Sequence, residues 1–449
     1  MFKKEFWKYF FNTFKESKWL LVRYVVIGIY LIVVGIIANK LQLHDLTYYN
    51  SIITLAYFAE MIAFGCSEGF GIYVNQHAHE PKISRKYAKV GFYVTILVVL
   101  IFVVLLGAMP NVILKNILHL DFEVNLWFYY IMLIAMVFLA GFRYINTLLA
   151  RLKVFNVQLN TSLSPCALMA LSLVLLVLFK NLSLIPIAII YVLVYLTVLI
   201  VSLILLKRNK IHSINILKYE RLKLEKHEIR TIVLRCLAEI VWEVGYMFIS
   251  FFILKANVIL YNQYCYFENA LDIFNGVFFT FVKLTSIRIC TAIGERKRDE
   301  AFKHAKYSIY ASIVIWFFYA LVSFALYLPL KSAMNIDLQA TALIPYILYV
   351  ALSLFRFVNW TMGTYIIGQS EIYINYQFWI EVVFAIYWVL LYLLADIFKG
   401  NMYLIFGAIA LECTIKIIID SIKISNKRWT YKFEEGGELH IEEKVKEKD

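Results

Sequence analysis

What the chain lacks narrows its chemistry first. No Walker, HExxH or GxSxG pattern occurs in its 449 residues. A phosphate-cradling loop, a helix-borne zinc pair and a nucleophile elbow are therefore missing in their recognisable forms. The six cysteines, at 66, 166, 236, 265, 290 and 413, form no CxxC and no Cys/His metal spacing. Each lies in or near an apolar run, where cysteine serves as a small core residue. The eight histidines, at 44, 77, 79, 119, 212, 227, 304 and 440, all fall in loops or the tail once those runs are marked off. A membrane-embedded acyl- or glycosyltransferase needs a histidine or acidic pair at the bilayer interface, and the histidines supply none within a span. The reading is that this is not an enzyme and holds no cofactor or metal. Near the N-terminus no short apolar stretch precedes a small-residue cleavage site, so the first long run is expected to act as the insertion signal.

What is there is hydrophobic surface. The composition is 62% hydrophobic and the mean hydropathy is +0.73, against about 45–50% apolar for soluble domains. Apolar runs of membrane-crossing length recur along the whole chain. The expected class is an all-α polytopic membrane protein with twelve transmembrane helices. The spans are read at 19–38, 49–73, 90–113, 125–148, 157–179, 185–206, 231–254, 259–285, 306–329, 341–367, 373–395 and 402–424. The net charge of +13 would suggest nucleic acid in a soluble protein. Here the bases cluster in alternate loops, which is the positive-inside pattern and needs no nucleic-acid partner.

Those loops set an expected orientation. Residues 75–89 hold Lys82, Arg85, Lys86 and Lys89, and residues 286–305 hold Arg288, Arg296, Lys297, Arg298 and Lys303. Residues 207–230 hold eight Lys/Arg against three Glu, while the intervening loops carry about one lysine each. Both termini and the basic loops are expected to be cytoplasmic, in a multi-pass plasma-membrane protein. Heavy use of isoleucine, lysine, tyrosine and asparagine hints at an AT-rich bacterial genome. Residues 1–18 place Phe6, Phe10 and Phe14 at i, i+4 spacing among lysines, as in a helix lying on the membrane surface. The tail 425–449 mixes Glu, Lys and Gly-Gly and reads as disordered.

The linker 207–230 divides the chain into six spans (19–206) and six more (231–424), and the halves align. An offset of about 212 sets Arg23 on Arg235, Asn50 on Asn262 and Glu60 on Asp272, growing to about 215–217 at Ile72/Ile287 and Ala88/Ala305. An even number of spans per half keeps both copies in one orientation. The expected architecture is two six-helix bundles related by a pseudo-twofold along the membrane normal.

Ionisable residues inside the spans each cost about 2.5–3.5 kcal/mol on insertion scales, so they belong in the bundle interior. The N-half has Arg23, Glu60, Glu68 and Arg143; the C-half has Arg235, Glu239, Glu243, Glu268, Asp272, Lys283, Arg356, Glu381, Glu412 and Lys416. Arg235, Glu239 and Glu243 share one helix face, as do Glu268 and Asp272 on the next. Counting about 1.5 Å per residue sets Glu243 roughly 18 Å from one end of its span and Glu268 roughly 14 Å from the opposite end of its own, both near mid-depth. Four acids with Arg235 and Lys283 as tuning bases make a candidate cation-coupling site; structural ion pairs between the two helices are the alternative. Glu60 and Arg23 form a candidate N-lobe counterpart. Glu68 reads equally as a snorkelling surface residue. Arg143 and Arg356 either line a lumen or neutralise acids. Tyr246, Tyr264, Phe267, Trp360 and Arg356 are candidate substrate-lining residues, the aromatics by stacking on a cationic or planar compound.

Several stretches then suggest a family. "SIRICTAIGERKRDEAFKHA", 286–305, resembles the loop after the eighth helix of multidrug and toxic compound extrusion (MATE) transporters, with Gly294 and Ala301 in place. "VWEVGYMF", 241–248, resembles the seventh helix of the NorM branch, whose cation-coupling carboxylate falls on Glu243. "TYIIGQSEIY", 364–373, resembles the turn after the tenth helix, with Glu371 at an acidic position, and "LARLKVFN", 149–156, sits where the matching turn after the fourth occurs. "KRWTYK" resembles the basic-Trp end of the family. The family's early prolines in helices 1 and 7 are absent, with Arg23 and Arg235 instead, and "VVGIIANK" lacks the first-helix aspartate. The resemblance implies a monomeric secondary transporter that exports a small organic, cationic or amphiphilic compound among membrane lipids, coupled to Na+ or H+. Flippases of lipid-linked saccharides in the same superfamily, with basic lumens, are the alternative it leaves. A scaffold or receptor has no need of acids at mid-depth.

Overall fold

The computed structural model describes the chain apart from residues 1–3, 24–25, 27–42, 118–124, 181, 209–213, 217, 219–221, 223, 334–338 and 432–449, and apart from some side chains of residues 43–57, 258–274 and 333. The first expected span past residue 23, much of the linker 207–230, and the tail beyond residue 431 lie outside the described residues. Among the described residues every regular element is helical. The amphipathic helix α1 is Lys4–Glu16. Next come α2 (Leu43–Gln76), α3 (Pro81–Ala108), α4 (Leu126–Arg151), α5 (Phe155–Leu178) and α6 (Leu184–Arg208). The second half holds α7 (Lys226–Ala256), α8 (Val258–Gly294), α9 (Arg298–Ala333), α10 (Leu343–Gly363), α11 (Ile374–Leu393) and α12 (Met402–Ser425). Among the described residues ten helices, α3 to α12, are long and apolar enough to cross a membrane, and this is a multi-span membrane protein.

Local chemistry sets the helix ends. Pro81 opens α3, where its missing N–H costs nothing. Asn125 caps α4 by accepting from the Trp127 and Phe128 amides, and Asn257 caps α8 from Leu260. Glu225 and Glu228 form a reciprocal box at the start of α7. At the ends of α4 and α8, Lys153 and Arg296 turn left-handed, at φ 58° and 60°. The bonds Val154 N–H to Leu149 C=O and Lys297 N–H to Ala292 C=O close both turns.

The two halves repeat their packing. In the first, α2 packs on α3 and α4, α3 on α4, and α4 on α6; in the second, α8 packs on α9 and α10, α9 on α10, and α10 on α12. Each half also buries its own apolar core. One runs from Tyr48 to Val198, the other from Ile249 to Ile409. Among the described residues the same packing scheme is thus laid down twice, as the sequence offset implied.

Helix α1 departs from the surface reading. Phe6 and Phe10 are buried in the core of the second half against Phe281 and Tyr307, and Arg288 bonds Thr13 and Glu16 at 2.8 Å each. The phenylalanine stripe is covered by α8 and α9, not left to lipid.

The halves meet along α2 and α7. Gly65 and Gly69 lie against the backbone of Cys236 and Ile232; a Cβ on either glycine would come within 3.0 Å of a carbonyl oxygen there. Two glycines one turn apart let helices cross at backbone distance, as in tightly packed membrane helices. A second close approach brings the ends of α2 and α8 together. A Cβ on Gly294 would stand 2.1 Å from the Gln76 carbonyl oxygen. The glycine of the second basic patch therefore serves interlobe packing, while Arg296 makes the turn. The loops after α2 and α8 consequently share one face with α1 and with residues 427–431, since Lys427 approaches Asp299 at 3.6 Å and Lys303 approaches Glu5 at 3.5 Å. We call this the basic face.

Candidate functional site

On the basic-face side of the lobe boundary the glycine crossing admits one acid. Glu68 is fully buried between Lys283 of α8 and Arg151 at the end of α4, and hydrogen-bonds both. Arg151 continues into the opposite lobe, donating to the Gln369 side-chain oxygen at 3.1 and 3.2 Å, and Cys290 donates to that oxygen at 3.1 Å. Asn75, with its amide turned to donate to the Arg151 carbonyl at 3.0 Å, also accepts from the Arg151 guanidinium at 3.0 Å. One carboxylate from the first lobe is thus held by one base from each lobe. Removing one member of such a buried set typically costs about 3–5 kcal/mol, because the remaining charges stay desolvated. Alongside it, the Tyr87 hydroxyl of α3 donates to Glu228 of α7, again across the boundary. The sequence reading of Glu68 as a snorkelling residue is corrected. Lys283, read as tuning the α7–α8 acids, pairs instead with Glu68, because helix rotation turns it toward α2.

Deeper in the membrane, each lobe presents an arginine held by an acid. Arg143 of α4 lies 3.1 Å from Glu60 of α2, and Arg356 of α10 lies 3.7 Å from Glu268 of α8. Arg356 also hydrogen-bonds the Tyr264 hydroxyl, and Tyr246 donates to Glu268. The two arginines occupy matching places in "FRYIN", 142–146, and "FRFVN", 355–359, at an offset of 213. That local match is a sharper mark of the duplication than the matched residues of the sequence reading, which passed it over. Glu268 therefore belongs with Arg356 and Tyr246.

On α7, Arg235 lies 2.5 Å from Glu239 one turn on, as the i, i+4 spacing implied. The Arg235 guanidinium rests against Gly368 in the turn after α10. Glu243, one turn further, is half-buried and makes no hydrogen bond or ion pair with a described side chain; Glu239 and Glu60 are its charged neighbours. The side chain of Asp272 lies outside the described residues. The described contacts of Arg23 and Glu60 lie with different partners. Arg23 donates to Ser162 of α5 at 2.7 Å, within a polar group that includes Asn146, while Glu60 belongs to Arg143.

A further constellation, absent from the predicted site, lies inside the second lobe. Lys416 of α12 reaches Glu381 of α11 at 2.9 Å and Glu412 at 2.7 Å. Gln377 donates to Glu381 at 3.0 Å, and the Trp388 indole donates to Glu412 at 3.0 Å. Tyr246, Trp360 and Arg356 line the adjoining cavity, which has a volume of about 40 Å³. That space admits waters or a small ion and falls far short of the roughly 300 Å³ of an organic-ligand pocket. Phe267 and Tyr264, also candidate lining residues, do not border this cavity. Both are 1% exposed in the lobe's core, Phe267 packed edge-on to Tyr346 at 4.9 Å. Glu381, Glu412 and Lys416 were visible as intramembrane charges; the convergence of Glu381 on the Glu412–Lys416 pair was not, because Glu381 comes from α11 and the pair from α12.

No protein-family model matches the sequence, and no curated protein does. Solved structures do. A MOP superfamily transporter from Pyrococcus furiosus, described as having a binding pocket of reversed polarity that suggests a different function, superimposes with a TM-score of 0.77 at 11% identity, over 93% of this chain and 97% of that one. The outward-facing conformation of a multidrug resistance MATE family transporter gives 0.75 at 11% identity, over 93% and 96%. A MATE in complex with MaD3S gives 0.74 at 12%, over 93% and 96%.

Proposed function

We propose that this chain, which has the fold of the MATE transporters of the MOP superfamily, is a secondary transporter. It exports an organic cationic or amphiphilic compound by rocking its two lobes, in exchange for Na+ or H+. The observation that carries the reading is Glu68, buried at the lobe boundary and gripped by one base from each lobe. A rigid scaffold has no use for a charged contact confined to one end of the seam. In a rocking pair of lobes it is a gate that must break each cycle. By the positive-inside rule the basic face is cytoplasmic, so the gate is closed toward the cytoplasm.

In this reading Glu243 is the coupling carboxylate. It faces Glu239 and Glu60 with no base of its own, so a cation or proton entering between the lobes relieves a concentration of negative charge. Tyr246, Trp360 and Arg356 border the C-lobe cavity, and Arg235 holds Glu239. The test is ion-dependent flux in proteoliposomes. An imposed Na+ or H+ gradient should drive accumulation of an organic cation, and Glu243→Gln should remove the ion dependence while the protein stays folded. Flux that ignores both gradients defeats the reading.

The second reading, a flippase of lipid-linked saccharide or another amphiphile, is favoured by Arg143 and Arg356. These guanidiniums, one per lobe, suit an anionic headgroup, and Arg143 keeps 28% of its side chain exposed. Gradient-independent transfer of a labelled anionic lipid between leaflets supports it over the first.

A further inference from the structure

Asp420 of α12 is 2% exposed and forms no ion pair with a described residue. Of the bases on the same helix, Lys416 is engaged by Glu381 and Glu412, and Lys423 lies over the Tyr373 and Tyr376 rings at 5.2 Å each. One Asp420 oxygen accepts from the Tyr376 hydroxyl at 2.6 Å. The other lies beside Gly363, at the end of α10, where a Cβ would come within 3.2 Å of it and 3.8 Å of the Gln377 amide. Gln377 is likewise 2% exposed, and its side-chain oxygen has no hydrogen-bond partner while its nitrogen is committed to Glu381. Both residues line a chamber of about 10 Å³ between α7, α10, α11 and α12, room for about one water. Two acceptors therefore face one small space, and none of the donors that line it, Lys416 and the Asn359, Thr364, Trp242 and Trp360 side chains, hydrogen-bonds either of them.

An ionised, unpaired carboxylate in such a place is costly, and adding a proton both removes the charge and creates the missing donor. The ionisable groups facing it are Tyr376 and Glu381 from α11 and Lys416 from α12, with Lys423 of α12 on the far side of the Tyr376 ring; α10, the turn after it and α7 present only Asn359, Trp360, Thr364 and Trp242. Asp420 stands five residues from the end of α12, about 7–8 Å along the helix from the basic face. The half-buried Tyr376 leads to it from that side.

The chamber also reaches the gate. Thr364 borders it, and the Thr364 carbonyl accepts from the Gln369 amide at 3.1 Å. The same Gln369 accepts from Arg151, which holds Glu68.

We propose that Asp420 is a proton-binding site loaded from the basic face, and that its protonation is transmitted through the turn after α10 to the Arg151–Glu68 gate. The step is a simple protonation: H+ from water adds to one carboxylate oxygen, and no other bond forms or breaks. The proposal deepens the transporter reading by placing a second coupling group within one lobe, but the protonation and its effect on the gate are measured without flux.

The experiment uses full-length protein in lipid nanodiscs. Infrared difference spectra on acidification should show a protonated-carboxyl band that is lost in Asp420→Asn and retained in Glu243→Gln. In parallel, Thr291→Cys, in a vestibule shared with Arg151, should label at a pH-dependent rate that becomes pH-independent when Asp420→Asn is added. If Asp420→Asn does not fold, Asp420→Glu and Tyr376→Phe should each shift the band. A band unchanged in these variants, a label rate whose pH dependence survives Asp420→Asn, or a response to sodium at fixed pH in place of the response to protons would each overturn the proposal. Failed ion-driven flux with these results intact would count against the transporter reading alone.

Discussion

Glu68 and Lys283 meet across the boundary between two halves of one chain, with no water-exposed surface on the carboxylate. Arg151 grips the same carboxylate from the first half. Glu68→Gln leaves two buried bases without their anion and should destabilise the closed gate by about 3–5 kcal/mol. Lys283→Met alone keeps one pair. The double variant should recover part of the loss, giving a coupling energy on the order of 1–3 kcal/mol in a double-mutant cycle. Thermal unfolding in detergent, together with thiol labelling at the basic face, measures both.

Gly294 offers a steric test of the same contact. Gly294→Ala drives a methyl into the Gln76 carbonyl, so the lobes must separate at the basic face or the helix ends must shift. The expected result is faster labelling of basic-face cysteines and a lower melting temperature. Gly407→Ala, with nothing within 4 Å, is the control and should be neutral or slightly stabilising.

Cys66 and Cys236 carry their sulfurs 3.4 Å apart on α2 and α7. A mild oxidant should join them, fixing the glycine crossing and stopping any cycle that separates these helices. Proteolysis between the two positions, followed by non-reducing electrophoresis, reports the bond. Reductant should restore flux, and Cys236→Ser should abolish the response.

Glu60→Gln frees Arg143 from its partner while Glu268→Gln does the same to Arg356, and the matched geometry predicts parallel effects. Each should raise the affinity for anionic lipid headgroups and lower that for organic cations by roughly tenfold, about 1.4 kcal/mol. Binding of both ligand types to the purified variants decides it.

Much of this was legible in sequence because it is local. Span length and loop charge depend on neighbouring residues alone, and so does the Arg235–Glu239 pair, which needs only one turn of helix. Glu68 was ambiguous because its environment depends on which way α2 is rotated, and two glycines in contact with another helix decide that. Phe267 and Trp360 look alike as letters in an aromatic-rich chain; packing against Tyr346 buries one, and a gap beside α11 leaves the other on a cavity. Asp420, inside the last span, is absent from the intramembrane charges read there, because its surroundings are set by Gly363 and Gln377 from two other helices.

Helix α1 has one consequence that concerns how the protein is made. Its phenylalanines settle on Phe281 and Tyr307, and Arg288 bonds Thr13 across 275 positions of chain. It leaves the ribosome well before α8 and α9, yet its resting place does not exist until they have been inserted. Contacts this distant in sequence form late. In the interval its aromatic stripe needs shelter, and a membrane surface is one that suits a lysine-flanked amphipathic helix. The amphipathic pattern therefore suits two successive addresses, a lipid surface during synthesis and the second lobe once the chain is complete.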